Sequence, residues 1–436
     1  MRQAKRILKE LYMAGIKAVH PADAVKRHMR LSRNILRIDG TRYNLKEFRN
    51  IYVIGAGKAA SGMARAIEEI FGNLITEGVV VTEYGYERRL KRIKVLSGRH
   101  PVPDRGGLAG ARRVLAIAEK AGKDDLVICL ISGGASALLP APVDGVTLKD
   151  KQVVTELLVK SGAHIGEINR VRKHLSKIKG GGLAKACAPA TVVTLIISDV
   201  VGADPSTIGS GPTSPDPTTL EDAIRVLKRY SLLDKVSKGV LRALKSAENE
   251  TPKPRDPIFR KTRNFIIADN LTALEEIKRA SRSMGYRAVI ITSLLTGDVR
   301  DASNFIASVI KEARTSGNPV SPPCCILFGG ETTVKVRGRG KGGRSQELSL
   351  LLAEKISSLK GVHILCAGTD GIDGITEAAG AFVDGTTLKR AEKLGLKPEK
   401  FLKENNSYNF FSPLKDLFIT GPTGTNVADV VICLVK

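Results

Sequence analysis

The chain has 436 residues, 42% of them hydrophobic and 26% charged, with a formal net charge of +25. That length exceeds one compact core of usual size, so two globular domains are expected. The charge would suit a nucleic acid, a membrane surface or an acidic small substrate, or simply a Lys/Arg-rich solvated surface. The basic residues are dispersed, aromatics make up 4% and tryptophan is absent. A stacking platform for single strands is hard to build from that composition, which argues against a nucleic-acid partner.

In chain order, residues 3–30 carry helical spacing at Ile7, Leu8, Leu11, Ile16, Val19 and Val25, with Pro21 opening a second helix. The segment begins MRQAKRILKELYMAGIKAV, charged throughout and without a secretory apolar core, and no apolar run approaches the ~20 residues that span a bilayer. Strands are expected at 51–54, 78–82, 126–131 and 191–197, with helices at 58–71, 112–120, 151–161 and 220–230. This alternation predicts a parallel sheet covered on both faces. Residues 246–263 hold three prolines and many charges and read as a domain linker. Beyond it, strands are expected at 265–268, 288–292, 324–328, 333–337, 362–367 and 430–435. Helices at 271–284, 301–313 and 347–357 lie between them. The runs 324–328 and 333–337, joined by GGET, suggest a hairpin and hence a mixed second sheet. The six cysteines, Cys129, Cys187, Cys324, Cys325, Cys366 and Cys433, mostly lie in apolar runs without metal-ligand spacing. Buried thiols in a reducing compartment, and a cytoplasmic protein without membrane contact, are the expectation.

Six glycine-punctuated loops follow apolar runs. Glycines at a strand end let backbone approach an anionic ligand, with the amides of the next helix facing it. In the first, Gly55-Ala-Gly57-Lys58-Ala-Ala60 fits the relaxed dinucleotide fingerprint G-x-G-x-x-A, with Glu83 placed to reach a ribose. A lysine inside the turn suits a phosphate or carboxylate better than a neutral cradle. It is not a Walker A loop. Ser132-Gly133-Gly134-Ala-Ser136 offers hydroxyls and successive amides for phosphate. The stretch from Asn169 through Arg172 and Lys173 to Gly182 is either a basic helix end or a cationic wall. Asp199 ends a strand ahead of Gly209-Ser210-Gly211, and could hold Mg²⁺ or accept a hydroxyl proton. Glu331 follows two glycines, and Arg344 follows two more at a helix start, where it can grip a carboxylate or phosphate bidentately. Asp370 in GTDGIDG could be a metal ligand or a base.

The ordered run GAGKAASGMA, ISGGASALLPAP, VRKHLSKIKGGGLA, ISDVVGADPSTIGSGPTSPDPTT, FGGETTV, GGRSQEL and AGTDGIDGITEAAGAFVDG resembles the MOFRL-type glycerate 2-kinases over nearly the whole chain. The resemblance implies ATP-dependent phosphorylation of D-glycerate to 2-phospho-D-glycerate with Mg²⁺. It also implies a Rossmann-like N-terminal domain (1–250) and a smaller C-terminal α/β domain (251–436), with the active site in a cleft between them. The family's functional lysine, aspartates and arginine fall on Lys58, Asp199, Asp370 and Arg344. The loops at Gly55–Gly57, Ser132–Ser136 and Gly209–Gly211 become phosphate cradles. Lys58, Arg172, Lys173 and Arg344 become the substrate-binding cations, and Asp199, Glu331 and Asp370 the metal carboxylates. Ser345 stands where the family often has Asn, and Gly297-Asp298 where many members have Gly-Glu. A homodimer is compatible with this reading. An NAD(P)H-dependent hydroxypyruvate reductase and a sugar-phosphate isomerase or binding module are the competing classes.

Overall fold

A computed structural model describes residues 2–436. The chain forms two compact units. One comprises Pro21–Ile197 and Ala203–Ile267. The other comprises the segment up to His20, Ser198–Gly202 and Ala268–Lys436.

The first unit opens with a helix at Pro21–His28 and an antiparallel meander of β1 (Met29–Ser32), β2 (Ile35–Ile38) and β3 (Thr41–Asn44). Its main sheet contains β4 (Asn50–Ala56), β5 (Glu77–Glu83), β6 (Ile93–Gly98), β7 (Asp125–Ser132), β8 (Thr191–Ile197) and β9 (Thr262–Ala268) in the order β6-β5-β4-β7-β8-β9. The pairs from β6 to β8 are all parallel, with Ile51 opposite Leu126 and Ala56 opposite Ile131. Every residue of β7 is buried, as expected for a central strand covered on both faces. Thr147 and Thr219 start the helices Leu148–Lys160 and Leu220–Arg229 with capping boxes to Asp150 and Asp222.

The second unit is a mixed sheet of β10 (Arg287–Leu295), β11 (Cys324–Gly330), β12 (Val362–Gly368), β13 (Gly380–Asp384), β14 (Leu417–Phe418) and β15 (Asp429–Val435). Its order is β10-β11-β15-β12-β13-β14. Only β10 and β11 run parallel; β15 enters antiparallel between β11 and β12. Strand alternation divides its side chains between two cores. Ile326, Phe328, Cys366 and Cys433 face helices Val299–Thr315 and Arg344–Lys355. Leu327, Leu365 and Ile432 face helices Arg2–Ala18 and Asn270–Ser283. Arg2–Ala18 contributes Leu8, Leu11, Tyr12 and Ile16, the three-to-four spacing of one helical face, so the N-terminal helix belongs to the C-terminal unit.

Two expectations are corrected. The 324–328/333–337 hairpin does not form: the sheet is mixed because β15 inserts into it. Beyond Gly330 the chain leaves the sheet, Thr333 makes only an isolated bridge with Asp298, and Val336 is 75% exposed. The expected linker at 246–263 lies inside the first unit, where Glu250 accepts from Lys253 at 2.6 Å and Thr251 is buried against Asp216. The long stretches of the two compact units meet at Ile267 and Ala268. All six cysteines are free and buried. No helix among the described residues is long and apolar enough to cross a membrane.

Candidate functional site

In the first unit, the loops after β4 and β7 and residues 203–211 beyond β8 follow the carboxyl ends of parallel strands, where open α/β sheets bind ligands. Gly55 and Gly57 bring the first loop against β7. A Cβ on Gly55 would sit 2.0 Å from the Leu130 carbonyl oxygen, and one on Gly57 2.0 Å from Ser132 Oγ. The amides of this loop are consumed internally. Gly57 N–H donates to Val81 O (3.0 Å), Lys58 N–H to Gly133 O (2.9 Å), Ala59 N–H to Ser132 Oγ (3.0 Å) and Ala60 N–H to Gly57 O (3.1 Å). The loop is thus a rigid mount for Lys58 rather than an open row of donors for a pyrophosphate. Lys58 Nζ lies 3.9 Å from Glu83 Oε2, which engages the carboxylate that a ribose would require.

Gly134 has φ +85 and caps the short helix Ala135–Leu138, next to Lys58 and His100. Ser136 in that helix accepts from Arg172 Nη2 (2.7 Å) and Lys179 Nζ (2.8 Å). With both lone pairs occupied, its own proton goes to Ser210 Oγ (2.9 Å), which donates to Asn169 Oδ1 (3.3 Å). Ser210 itself takes φ +65 between Gly209 and Gly211, both left-handed. Lys173, itself buried, pairs with Asp216 at 3.3 Å and does not join this group. Lys179 and Lys151 were not singled out from sequence. Lys179 stood within the quoted basic stretch, but nothing in a single sequence distinguishes a buried lysine from a solvated one.

In the second unit, Arg344 opens the helix Arg344–Lys355 and is clamped by two carboxylates. Its Nε and Nη2 donate to Asp429 Oδ2 (2.6 Å) and Oδ1 (3.2 Å), and Nη1 donates to Glu331. Burial opposes the guanidinium charge, but Asp429 and Glu331 outweigh it and hold its pKa above normal. Asp373 caps the same helix from outside, accepting from Ser345 N (3.1 Å), Gln346 N (2.8 Å) and Gln346 Nε2 (3.0 Å). Burial, reinforced by Asp429, pushes Asp373 up to about 7. Burial likewise raises Asp429, against the pull of Arg344. Asp370 Oδ1 accepts from Ile372 N–H at 3.1 Å, and its carboxylate contributes to raising Asp429. Asp199 accepts from Asn426 Nδ2 at 3.3 Å. The loop carrying Asn426, GPTGTN, escaped the sequence reading although its composition resembles the other glycine loops. Thr423 ties it to Asp370, its N–H donating to the Asp370 carbonyl at 3.1 Å. Glu331 is committed to Arg344. Among the described residues, no three His, Cys, Asp or Glu side chains form a metal-holding group, so Asp199, Glu331 and Asp370 are not gathered into one ligand set.

Glycine-mounted strand-end loops, buried cations and a clamped arginine define an α/β protein built to handle anionic, phosphate-bearing ligands. Residues 7–245 match a domain of unknown function, DUF4147, and residues 324–429 match the MOFRL family. A glycerate 2-kinase from Pyrococcus horikoshii is 46% identical over 97% of this chain and 95% of its own. The crystal structure of a glycerate kinase from Thermotoga maritima, 40% identical, covers 100% of both chains with a TM-score of 0.88. A relative from Agrobacterium vitis, 42% identical over 88% of this chain and 86% of its own, is provisionally named a hydroxypyruvate reductase. The chain belongs to the MOFRL-type glycerate kinase family.

Proposed function

We propose that this protein is a phosphotransferase that transfers the terminal phosphoryl group of ATP to the 2-hydroxyl of D-glycerate. The observation that carries the reading is the set of strand-end loops that mount Lys58 and gather Arg172 beside Ser136 and Ser210. Phosphoryl transfer needs positioning and charge neutralisation more than covalent catalysis. Lys58 and Arg344 are assigned neutralisation of the transferring phosphoryl group or the glycerate carboxylate. Asp199 and Asp370 are assigned the carboxylate roles, one accepting the proton of the substrate hydroxyl and the other facing the metal. Gly55 and Gly57 act through the placement of Lys58, and Arg172 binds substrate anion. Lys173, held by Asp216, is assigned a supporting role.

Mg²⁺ binds through one or two carboxylates together with substrate phosphates and water, so a three-carboxylate cage is not required. Asp370 fits that demand better than Glu331, which is tied to Arg344. When bound, the ion would screen phosphate charge. A homodimer and a cytoplasmic location remain part of the reading, and neither enters the chemistry.

The internal use of the first loop's amides favours the kinase over a nicotinamide-linked reductase. The test is ADP release dependent on D-glycerate and Mg²⁺, run beside NAD(P)H oxidation with hydroxypyruvate. Glycerate-dependent ADP release with no NAD(P)H oxidation is expected. The opposite pattern would overturn the reading.

A further inference from the structure

Three basic side chains in the first unit, Lys151 and Lys179 buried and Arg172 partly buried, have only neutral hydrogen-bond acceptors. Lys179 is 1% exposed, and its Nζ donates to the Ser136 carbonyl (2.6 Å) and hydroxyl (2.8 Å). Lys151, also buried, donates to the Leu175 carbonyl at 2.8 Å. Arg172 donates to Ser136 Oγ and Asn169 Oδ1. Every one of these acceptors is neutral. The acidic groups packed nearby are taken by other cations: Asp216 by Lys173, Glu250 by Lys253, and Glu167 by Arg229.

A buried cation without a counter-charge is costly, and neighbouring cations make it worse. The strain shows in the titration of the group. Burial and Arg172 push Lys151 down to about 7, and burial, Arg172 and Lys151 depress Lys179 well below an ordinary lysine. A fold keeps such a cluster where an anion completes it. Guanidinium and ammonium donors remain open after the neutral acceptors are counted, since Arg carries five N–H groups and Lys three. Ser136 has no proton to spare, because its hydroxyl donates to Ser210.

We propose that Lys179, Arg172 and Lys151 form a binding site for a tetrahedral oxyanion of charge −2, with Lys179 as its principal contact and Ser136 and Ser210 as the brace that aims the cations. This deepens the kinase reading by assigning the phosphate-holding role to the buried cations instead of the serine hydroxyls. Two sources share that chemistry, the phosphate tail of the nucleotide and the phosphate of the product. Asn169, Ser136 and Ser210 act as positioning residues.

The test is calorimetric titration of sulfate, a dianion with no proton to exchange, into the full-length protein at pH 8. It is run in two buffers of different ionisation enthalpy. One sulfate should bind with net proton uptake, because the anion restores the ammonium form of lysines that burial had neutralised. Lys179→Met should weaken binding by at least about tenfold and remove part of the uptake. Lys179→Arg, which keeps the charge, should retain binding and guards against a misfolded methionine variant. ADP displacing the sulfate would place the nucleotide tail here; displacement by 2-phosphoglycerate alone would place the product phosphate. Sulfate displaced by neither would mark an adventitious ion only and overturn the proposal, as would absence of binding or an unchanged Lys179→Met. Loss of the proposal leaves glycerate-dependent ADP release intact. Sulfate binding in a protein that releases no ADP would instead sink the kinase reading and leave the site standing.

Discussion

The mounting of Lys58 rests on a backbone contact that a single methyl group should break. Gly57 has φ +137, and a Cβ there would lie 2.0 Å from Ser132 Oγ and 2.6 Å from the Ser132 carbonyl oxygen. Both are far inside van der Waals contact, and the carbonyl belongs to the fully buried β7, which cannot yield cheaply. Gly57→Ala therefore combines backbone strain of about 1–3 kcal/mol with overpacking of about 1–3 kcal/mol. If Ser132 rotates away, the buried Ala59 N–H loses its acceptor as well, adding about 1 kcal/mol or more. A total of roughly 3–7 kcal/mol is a large share of the ~5–15 kcal/mol that holds a domain folded. Gly85→Ala is the control: Gly85 has φ +88 but nothing within 4 Å of a Cβ, so only conformational strain of about 1–2 kcal/mol applies. The chain has no tryptophan, so urea unfolding is followed by far-UV circular dichroism. The account expects the Gly57→Ala midpoint to fall well below that of Gly85→Ala, with kinase turnover falling as Lys58 is displaced. Equal midpoints for the two variants would refute the reasoning.

Lys58→Ala should reduce turnover by at least ~100-fold with the fold intact. At Arg344 the informative change is to Lys, because Arg344→Ala would strand the buried Asp429 carboxylate. Arg344→Lys keeps a positive charge but loses the two-pronged geometry, and a comparable ~100-fold loss is expected in steady-state assays. Asp373→Asn tests the helix cap and its titration. Because the folded state holds the Asp373 proton up to about 7 while the unfolded chain releases it near 3.8, the native state binds more protons in that window. Its contribution to stability is therefore greatest below that window and is lost as pH rises through it. The asparagine variant should show a flatter stability-against-pH curve between pH 4 and pH 7 in urea titrations.

Much of the first sheet was legible because parallel strands buried on both faces read as continuous apolar runs: 126–131 and 191–197 match β7 and β8 closely. The meander Met29–Asn44 was not, since its short strands mix arginines with isolated apolar residues. TTVKVR alternates like a strand, yet Val334 packs only partly against the core while Val336 stays exposed, and alternation is only a proxy for a half-buried surface. No local pattern could tell that β15 would enter the middle of a sheet or that Arg2–Ala18 would cover the far half of the chain; both are decided by tertiary packing. The site was legible where glycines mark it, at Lys58, Ser136, Ser210 and Arg344. It was illegible where burial decides, as with Lys151, Lys179 and Asp429, whose residue types are common on any surface.

The most direct test of the central claim is incubation with D-glycerate, ATP and Mg²⁺, resolving 2- from 3-phosphoglycerate by phosphorus NMR. The account predicts 2-phosphoglycerate appearing in step with ADP. ADP-linked 3-phosphoglycerate alone would contradict the regiochemistry, and the absence of any phosphorylated glycerate would contradict the kinase assignment itself.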